Sequence, residues 1–379
     1  IESLQRPWQG LSHLETRALL AAELAEARKP DLSAILALLE TSFDRPPNHY
    51  KPIPLPTGSS PKDFVDFMIT NLEQAAKLRD QALVLLSSSE RRFLFKPAHV
   101  LTEHFTPQIS VWTEQTASQT EALGRFAELI DQRMDYAALI ASAQTLVGLA
   151  DERWVRHLAA VFPKSLPPTE IPHGITGDVR LVHHTAYGLI VIGGPGPNNY
   201  ELDGRFALVI DLGGDDLYQG LIGASASEEQ GNMAVIDLEG NDTYIAAPLG
   251  LGTGRLGVGL VIDHAGDDVY HLQSGGGGVG FAGLGILFDA KGHDTYQGER
   301  LTQGAAIGGL GLLLDLAGND RYTGQGFAMG FGGPLGIGAL IDETGNDQYD
   351  CTNGLPSAYN ARDAPQAKPG DPSFQYDCF

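Results

Sequence analysis

The sequence predicts an α+β protein in which an N-terminal helical domain is followed by a parallel β-solenoid of about six 26-residue rungs. One phrase, typified by VIDLEGNDTY, recurs six times between about residues 206 and 349. The aspartates that lead its copies are spaced 26, 26, 26, 26 and 27 residues apart. A fixed period in this range is typical of solenoids, in which each repeat buries its apolar face only against its neighbours.

Residues 1–165 are predicted to form a helical cap or docking domain. Ser60, Pro61 and Asp63 supply an N-cap, a proline at the first helical position and an acidic residue at the third, and apolar residues then follow at helical spacing. Further helices are expected over 118–134 and 136–161. The region has no HExxH, CxxC or serine nucleophile elbow, so we expect no chemistry here. The solenoid is predicted to cover 166–350, and 351–379 to be an irregular tail.

Each rung is predicted to contain a strand that ends at the repeat aspartate. Counting back from it, positions −1, −3 and −5 are largely apolar, and we expect them to face the solenoid interior. Position −2 is also apolar, while −4 and −6 are mostly glycine, so we expect an outer strip covered by the N-terminal helices or by a second copy of the chain. The glycines also match GxGxxG, but they precede a strand instead of a helix, which argues against nucleotide binding.

The turn after each strand carries a glycine, a second aspartate and a tyrosine, and the tyrosines are expected to stack. Stacked rungs would bring the aspartates of each column to about 4.8 Å, where each like-charge pair costs about 3.5 kcal/mol at an effective dielectric near 20. We therefore expect divalent cations, and calcium tolerates irregular all-oxygen turns better than magnesium does. The candidate metal ligands are Asp211, Asp216, Asp237, Asp242, Asp263, Asp268, Asp289, Asp294, Asp315, Asp320, Asp342 and Asp347.

The Gly-Asn-Asp-x-Tyr turns, as in 240–244 and 318–322, resemble the RTX-type calcium-binding β-roll repeat. In that family, turn aspartates and turn carbonyls hold calcium between successive coils, so the resemblance implies that the second aspartate of each copy is a calcium ligand. It covers about six residues per rung, and the family repeats its nonapeptide in tandem, whereas this turn occurs once per 26 residues. The alternative is that the aspartates accept hydrogen bonds from turn N–H groups beside asparagine ladders.

Charge and cysteine content restrict the partners and the compartment. The net charge is −22, and residues 177–350 carry 23 acidic and 6 basic side chains. This field repels nucleic acid and anionic membranes, so neither is an expected partner, and no apolar run is long enough to span a membrane. Cys351 and Cys378 are the only cysteines. A disulfide between them is expected in an oxidising compartment, which favours a secreted or periplasmic protein, and two free thiols are the alternative.

These features favour an exported, calcium-stabilised scaffold that presents an extended surface to a polysaccharide or protein partner. A carbohydrate-active lyase or hydrolase with a groove on the β-helix is an alternative that rests on fold analogy. His271, His293 and Asp267, which lie in the middle rungs, are its candidate catalytic residues. A third possibility is a surface protein that self-assembles into a homo-oligomer through the glycine strip.

Overall fold

A computed structural model of the chain describes residues 32–40, 50–58, 60–95 and 117–351. Helices come first in these ranges, and strands follow from residue 175 onward. The helices are α1 (Leu32–Glu40), α2 (Pro61–Ala82), α3 (Ser88–Phe95), α4 (Ala117–Arg133), α5 (Tyr136–Val147) and α6 (Glu152–Val161), with short 3-10 turns at Gly148–Ala150 and Pro168–Glu170. Within the described ranges, no helix is both long and apolar enough to cross a membrane.

The strands form a parallel β-solenoid of about six turns, as the repeat predicts. They are β1 (Ile175–Thr176), β2 (Val179–Thr185), β3 (Gly188–Gly193), β4 (Asn199–Leu202), β5 (Phe206–Ile210), β6 (Leu217–Gly220), β7 (Asn232–Asp237), β8 (Thr243–Ala246), β9 (Gly254–Arg255), β10 (Val258–Asp263), β11 (Val269–Leu272), β12 (Gly280–Phe281), β13 (Leu284–Asp289), β14 (Thr295–Gly298), β15 (Ala306–Ile307), β16 (Leu310–Asp315), β17 (Arg321–Gly324), β18 (Ile337–Asp342) and β19 (Gln348–Cys351).

Each rung contributes strands to stacked sheets that run the length of the solenoid. The tyrosine sheet has the order β1-β4-β6-β8-β11-β14-β17-β19, and the helix-facing sheet has the order β18-β16-β13-β10-β7-β5-β3-β2. A short third sheet contains β15, β12 and β9. Pairing is parallel except between β1 and β4 and between β2 and β3, where the solenoid begins. The register places Asp263 beside Asp237 on one side and Asp289 on the other, so equivalent residues of successive rungs form straight columns.

The start of α2 follows the prediction, whereas the long helix predicted over 136–161 is interrupted. At α2, the Ser60 hydroxyl accepts the backbone N–H of Asp63 at 3.3 Å, and the Asp63 carboxylate accepts the backbone N–H of Ser60 at 3.0 Å. The predicted N-cap is therefore confirmed, and together Ser60 and Asp63 form a capping box. The predicted second helix is two helices, because the carboxylate of Asp151 accepts the backbone N–H of Arg153 at 3.0 Å and caps a new start.

The helices cover the helix-facing sheet, but on the face opposite to the one predicted. Residues −1, −3 and −5 from the aspartate, for example Ile262, Leu260 and Val258, belong to the buried apolar cluster that also contains the helices. Val261, at position −2, packs inside the solenoid with the tyrosines. Since alternate residues of a strand face opposite ways, Asp263 shares the inward direction of Val261. The prediction that −1, −3 and −5 line the interior was wrong.

The glycines at position −4 therefore face the backbone of the solenoid's own third-sheet segment, and not the helices or second copy that were expected. A Cβ atom on Gly285, at position −4, would lie 2.1 Å from the backbone oxygen of Val279, which directly precedes third-sheet strand β12. Gly259 and Gly311 have the same close backbone approach, from Thr253 and Ala305. Close approach of another backbone was predicted correctly, but it comes from within the solenoid and not from the helices.

Polar side chains also join the helices to the solenoid. The Arg79 Nε donates to the backbone oxygen of Leu256 at 2.8 Å, and the Tyr136 hydroxyl donates to the backbone oxygen of Gly308 at 2.6 Å. Helices and sheet thus share both an apolar cluster and directional contacts. The division into domains at 165 and 350 stays a prediction. Residues 352–379, including Cys378 of the predicted disulfide, lie outside the described residues.

Candidate metal site in the aspartate columns

The first aspartate column consists of the aspartates at the C-terminal ends of the helix-facing strands, and its side chains point into the solenoid. Its members are Asp211, Asp237, Asp263, Asp289, Asp315 and Asp342. Asp263 is completely buried. One of its carboxylate oxygens accepts the Tyr244 hydroxyl at 2.6 Å, and the other accepts the backbone N–H of Ala265 at 3.1 Å. The same two kinds of donor reach Asp237 and Asp289. Each of these buried carboxylates therefore has one hydrogen-bond donor for each oxygen.

The tyrosines that supply the hydroxyl donors form one continuous stack, as the sequence predicts. Neighbouring rings from Tyr200 to Tyr349 are 4.7–4.9 Å apart between centroids and within 14° of parallel. The rings are fully buried as far as Tyr322, while Tyr349 is 53% exposed. Sequence reasoning missed that these hydroxyls bind the first aspartate column. The available signal was that a buried tyrosine hydroxyl usually needs a partner.

The second aspartate column, formed by the aspartate of each turn, lies beside the first, and its carboxylates accept hydrogen bonds from the backbone of the preceding rung. One oxygen of Asp268 accepts the backbone N–H of Asp242 at 2.6 Å, and one oxygen of Asp294 accepts the backbone N–H of Asp268 at 2.7 Å. The other carboxylate oxygen is buried and has no hydrogen-bond partner in the five second-column residues Asp216, Asp242, Asp268, Asp294 and Asp320. An unpaired buried carboxylate oxygen is costly, so each of these positions needs a proton or a cation.

The two columns meet in repeated groups of three carboxylates. In each group, one oxygen from every aspartate lies within 4.8 Å of the others. Four groups combine both aspartates of one rung with the first aspartate of the next, and a fifth combines Asp320, Asp342 and Asp347. The four groups are Asp211–Asp216–Asp237, Asp237–Asp242–Asp263, Asp263–Asp268–Asp289 and Asp289–Asp294–Asp315. All twelve predicted ligands thus lie in the two columns, and these stacked carboxylates are able to hold a metal ion.

Burial raises the pKa of four second-column carboxyls, those of Asp216, Asp242, Asp268 and Asp294, far above the usual range. The pKa of Asp216 is raised to about 9 and that of Asp268 to about 10, first by burial and then by the nearby charge of Asp211 and Asp263 respectively. The pKa of Asp242 and of Asp294 is raised to about 8, again chiefly by burial. When no cation is bound, these carboxyls hold protons at neutral pH. The same oxygens can therefore be neutralised by protons or by a cation.

A third set of side chains forms a ladder on the exposed side of the turns. Asp267 accepts the backbone N–H of His293 at 2.9 Å, and the His293 Nδ1 accepts the backbone N–H of Asn319 at 2.9 Å. Asn241 and Asn319 act in the same way toward the rung that follows each of them. His293 therefore takes the acceptor position that asparagine or aspartate occupies in other rungs, and the carboxylate of Asp267 contacts its backbone.

His271, the third catalytic candidate, lies elsewhere in the rung. It is on the outer face of β11, in register with Ile245 and Gln297 of the neighbouring strands. A catalytic role for His271, His293 or Asp267 stays a prediction. Comparison of the chain with protein-family models, with curated proteins and with solved structures gives no match.

Proposed function

We propose that this protein is an exported repeat scaffold whose inner aspartate columns bind calcium and whose open sheet face presents an extended surface to a protein or polysaccharide. The observation that supports the proposal is the row of buried, unpartnered carboxylate oxygens in the second column. Each row member from Asp216 to Asp294 belongs to a group of three carboxylates whose oxygens lie within 4.8 Å of one another.

Charge balance favours a divalent cation over protons alone. Every rung adds two aspartates to the interior, so one divalent cation per rung balances the added charge. Protons balance it only when both columns are protonated, and a rung that holds a single proton keeps one negative charge, although burial raises the pKa of first-column Asp237 and Asp289 as well. Residual charges at the strand spacing of about 4.8 Å repel one another strongly in a buried column. Calcium binds six to eight oxygen ligands in irregular geometry, and the candidate ligand atoms here are all carboxylate oxygens.

Export belongs to the proposal because of the affinity expected for such sites. Calcium modules outside cells bind with dissociation constants of about 0.1–1 mM, and their sites are filled because calcium is abundant there. A site built from stacked aspartates, in which repulsion between neighbouring ions lowers affinity, suits those conditions. The two cysteines agree with an oxidising compartment, where a disulfide can persist.

The proposed partner surface is the outer face of the tyrosine sheet. The residue after each stacked tyrosine points outward, and these residues are half-buried or exposed. They are in register, and apart from the acidic Glu201 and Asp350 at the two ends they are mainly amide and hydroxyl side chains: Glu201, Gln219, Ile245, His271, Gln297, Thr323 and Asp350. A flat row of amide and hydroxyl groups at a regular spacing suits hydrogen bonding to a glycan or an extended protein segment. The acidic solenoid disfavours a polyanionic partner.

Thermal unfolding with and without calcium tests the metal part of the proposal. A single site filled at 100 times its Kd adds about 2.7 kcal/mol, which corresponds to a rise of about 5–10 °C in Tm for a domain of this size. Asp294→Asn, which keeps the acceptor for the backbone N–H of Asp268 but removes a ligand charge, should reduce the rise. The matched control is Asp267→Asn, on the exposed ladder, which should leave the rise unchanged. An identical Tm in EDTA and in millimolar calcium would contradict calcium binding.

A further inference from the structure

The tyrosine sheet has an open edge among the described residues. Its last strand, β19, pairs with β17 on one side and has no described strand on the other. Tyr349 in β19 is 53% exposed, although every earlier ring in the stack is fully buried. An unpaired edge with a free aromatic face is a template for one more strand.

The sequence contains a segment that matches this edge. Residues 348–351 read QYDC, and residues 375–378 also read QYDC. Tyr376 follows Tyr349 by 27 residues, and Tyr349 follows Tyr322 by 27 residues. The connecting chain has the same length in both cases, since 325–347 and 352–374 each contain 23 residues. The length of chain needed for one more circuit of the solenoid is therefore present.

We propose that residues 375–378 bind the open edge of β19 as an additional parallel strand of the tyrosine sheet. The register between β17 and β19 pairs Tyr322 with Tyr349 and Gly324 with Cys351. Continued by one strand, it pairs Tyr349 with Tyr376, which covers the exposed ring, and pairs Cys351 with Cys378. Neighbouring strands are about 4.8 Å apart, which is within the Cα–Cα range of about 4.4–6.8 Å for disulfides.

The chain's own segment is favoured over a second copy of the protein as the occupant. A 23-residue connection holds the segment near the edge at an effective concentration in the millimolar range, whereas a second copy loses translational freedom on binding. Because residues 375–378 have the same sequence as β19, they also provide a tyrosine at the stacking position and the same order of side chains on the two faces of the strand. The cysteine pair can then be oxidised by a small-molecule disulfide such as oxidised glutathione. Each cysteine loses its proton, the two sulfurs bond, and the glutathione disulfide takes up the two electrons and leaves as two thiols.

Hydrogen exchange on the full chain tests the strand. The Cys351→Ser/Cys378→Ser double variant is used so that no cross-link holds the segment. Amides within 375–378 should exchange at least about tenfold more slowly than in an unstructured peptide of the same sequence. Tyr376→Ala should remove this protection and speed exchange in β19, while Tyr359→Ala, a tyrosine outside the 27-residue interval, should change neither. Unprotected exchange at 375–378 would overturn the proposal, as would protection that grows with protein concentration, which assigns the edge to a second copy.

Oxidation of the wild-type chain provides a second, independent test. In a glutathione buffer containing the oxidised form, the expected product is a monomer with an internal bond between Cys351 and Cys378, mapped by peptide mass spectrometry. Tyr376→Ala should slow formation of this bond at least about tenfold, since the thiols are then no longer held in register. Dimers linked between chains as the main product, or thiols that stay free in the wild type, would contradict the proposal.

Discussion

The two aspartate columns contain the same residue at nearly the same depth, yet their hydrogen bonding differs in the rungs from Asp211 to Asp289; farther along, one oxygen of Asp315 and one of Asp342 also lack a hydrogen-bond partner. Asp263 in the first column has a tyrosine hydroxyl on one oxygen and a backbone N–H on the other. Asp268 in the second column has a backbone N–H on one oxygen and no hydrogen-bond partner on the other. Burial alone therefore does not identify a metal site. The oxygen that lacks a donor identifies the place where a proton or cation is required.

The difference follows from what each column connects. First-column carboxylates join the helix-facing sheet to the tyrosine sheet, because the tyrosine hydroxyl reaches across the interior. Second-column carboxylates join successive rungs, because each one accepts a backbone N–H from the rung before it. Neutralising the second column therefore acts directly on rung-to-rung contacts. We expect the first column to determine how firmly the two sheets are joined, and both columns to contribute to the dependence on ions and pH, because burial also raises the pKa of Asp237 and Asp289 and every three-carboxylate group contains a first-column aspartate.

Replacing one aspartate in each column should give the largest contrast. Asp263→Asn presents an NH2 group to one of two buried donors, so one donor loses its acceptor, and we expect a loss of about 2–3 kcal/mol in the free energy of unfolding. Asp268→Asn keeps one acceptor oxygen and turns the unpartnered oxygen into a donor toward the first column. In calcium-free buffer it should stay within about 1 kcal/mol of wild type. Chemical denaturation measures both, and equal losses would contradict the distinction between the columns.

Changing the pH should give the next largest effect, in the direction opposite to ordinary acid denaturation. The pKa of Asp242 and of Asp294 is raised to about 8 in the folded chain, against about 3.9 when unfolded. Between these values the folded state binds more protons, so this contribution to stability is fully present below about pH 4 and is lost as the pH rises through about 8. In EDTA, the denaturant concentration at the midpoint of unfolding should decrease as the pH is raised from 5 to 9.

Calcium provides the control for the pH experiment. A bound cation replaces the protons on the same oxygens, so saturating calcium should flatten the dependence, and Asp242→Asn combined with Asp294→Asn should weaken it in EDTA. Both results connect the effect to the second column and not to exposed carboxylates such as Asp63, whose pKa is lowered mainly by its hydrogen bonds to Ser60. A midpoint that rises with pH in EDTA would contradict the assignment.

The periodic features of this chain could be predicted because stacked rungs place residues that are one repeat apart in sequence next to each other in the structure. An interval of 26 residues fixes the columns, so the aspartate register and the tyrosine stack follow from counting alone. The cap of α2 was predictable for a local reason, since Ser60 and Asp63 satisfy one another within a single turn. Both inferences depend on few neighbours, and neither needs the tertiary arrangement.

The direction of the strand faces could not be predicted in the same way. Val261 and Ile262 are both large, apolar and β-branched, and both faces of the strand are covered, so hydrophobicity does not distinguish inside from outside. The decisive contact is that of Asp263 with Tyr244, which places the aspartate inside together with every second residue before it. The role of His293 was also hidden, because it depends on a ring nitrogen replacing an amide or carboxylate oxygen as the acceptor.

Substitutions in the exposed ladder should change stability less than substitutions in either aspartate column, because water can replace the lost hydrogen bonds there. His293→Asn restores the acceptor that Asn241 and Asn319 provide in their rungs, and stability should change by no more than about 0.5 kcal/mol. His293→Ala removes the acceptor for the backbone N–H of Asn319, but water can replace it at this exposed site, so we expect a loss of about 0.5–1 kcal/mol. Chemical denaturation separates the two variants. If asparagine were as destabilising as alanine, acceptance of the N–H would not be the role of His293. If asparagine kept the stability but abolished turnover of a polysaccharide substrate, the ring itself would be catalytic.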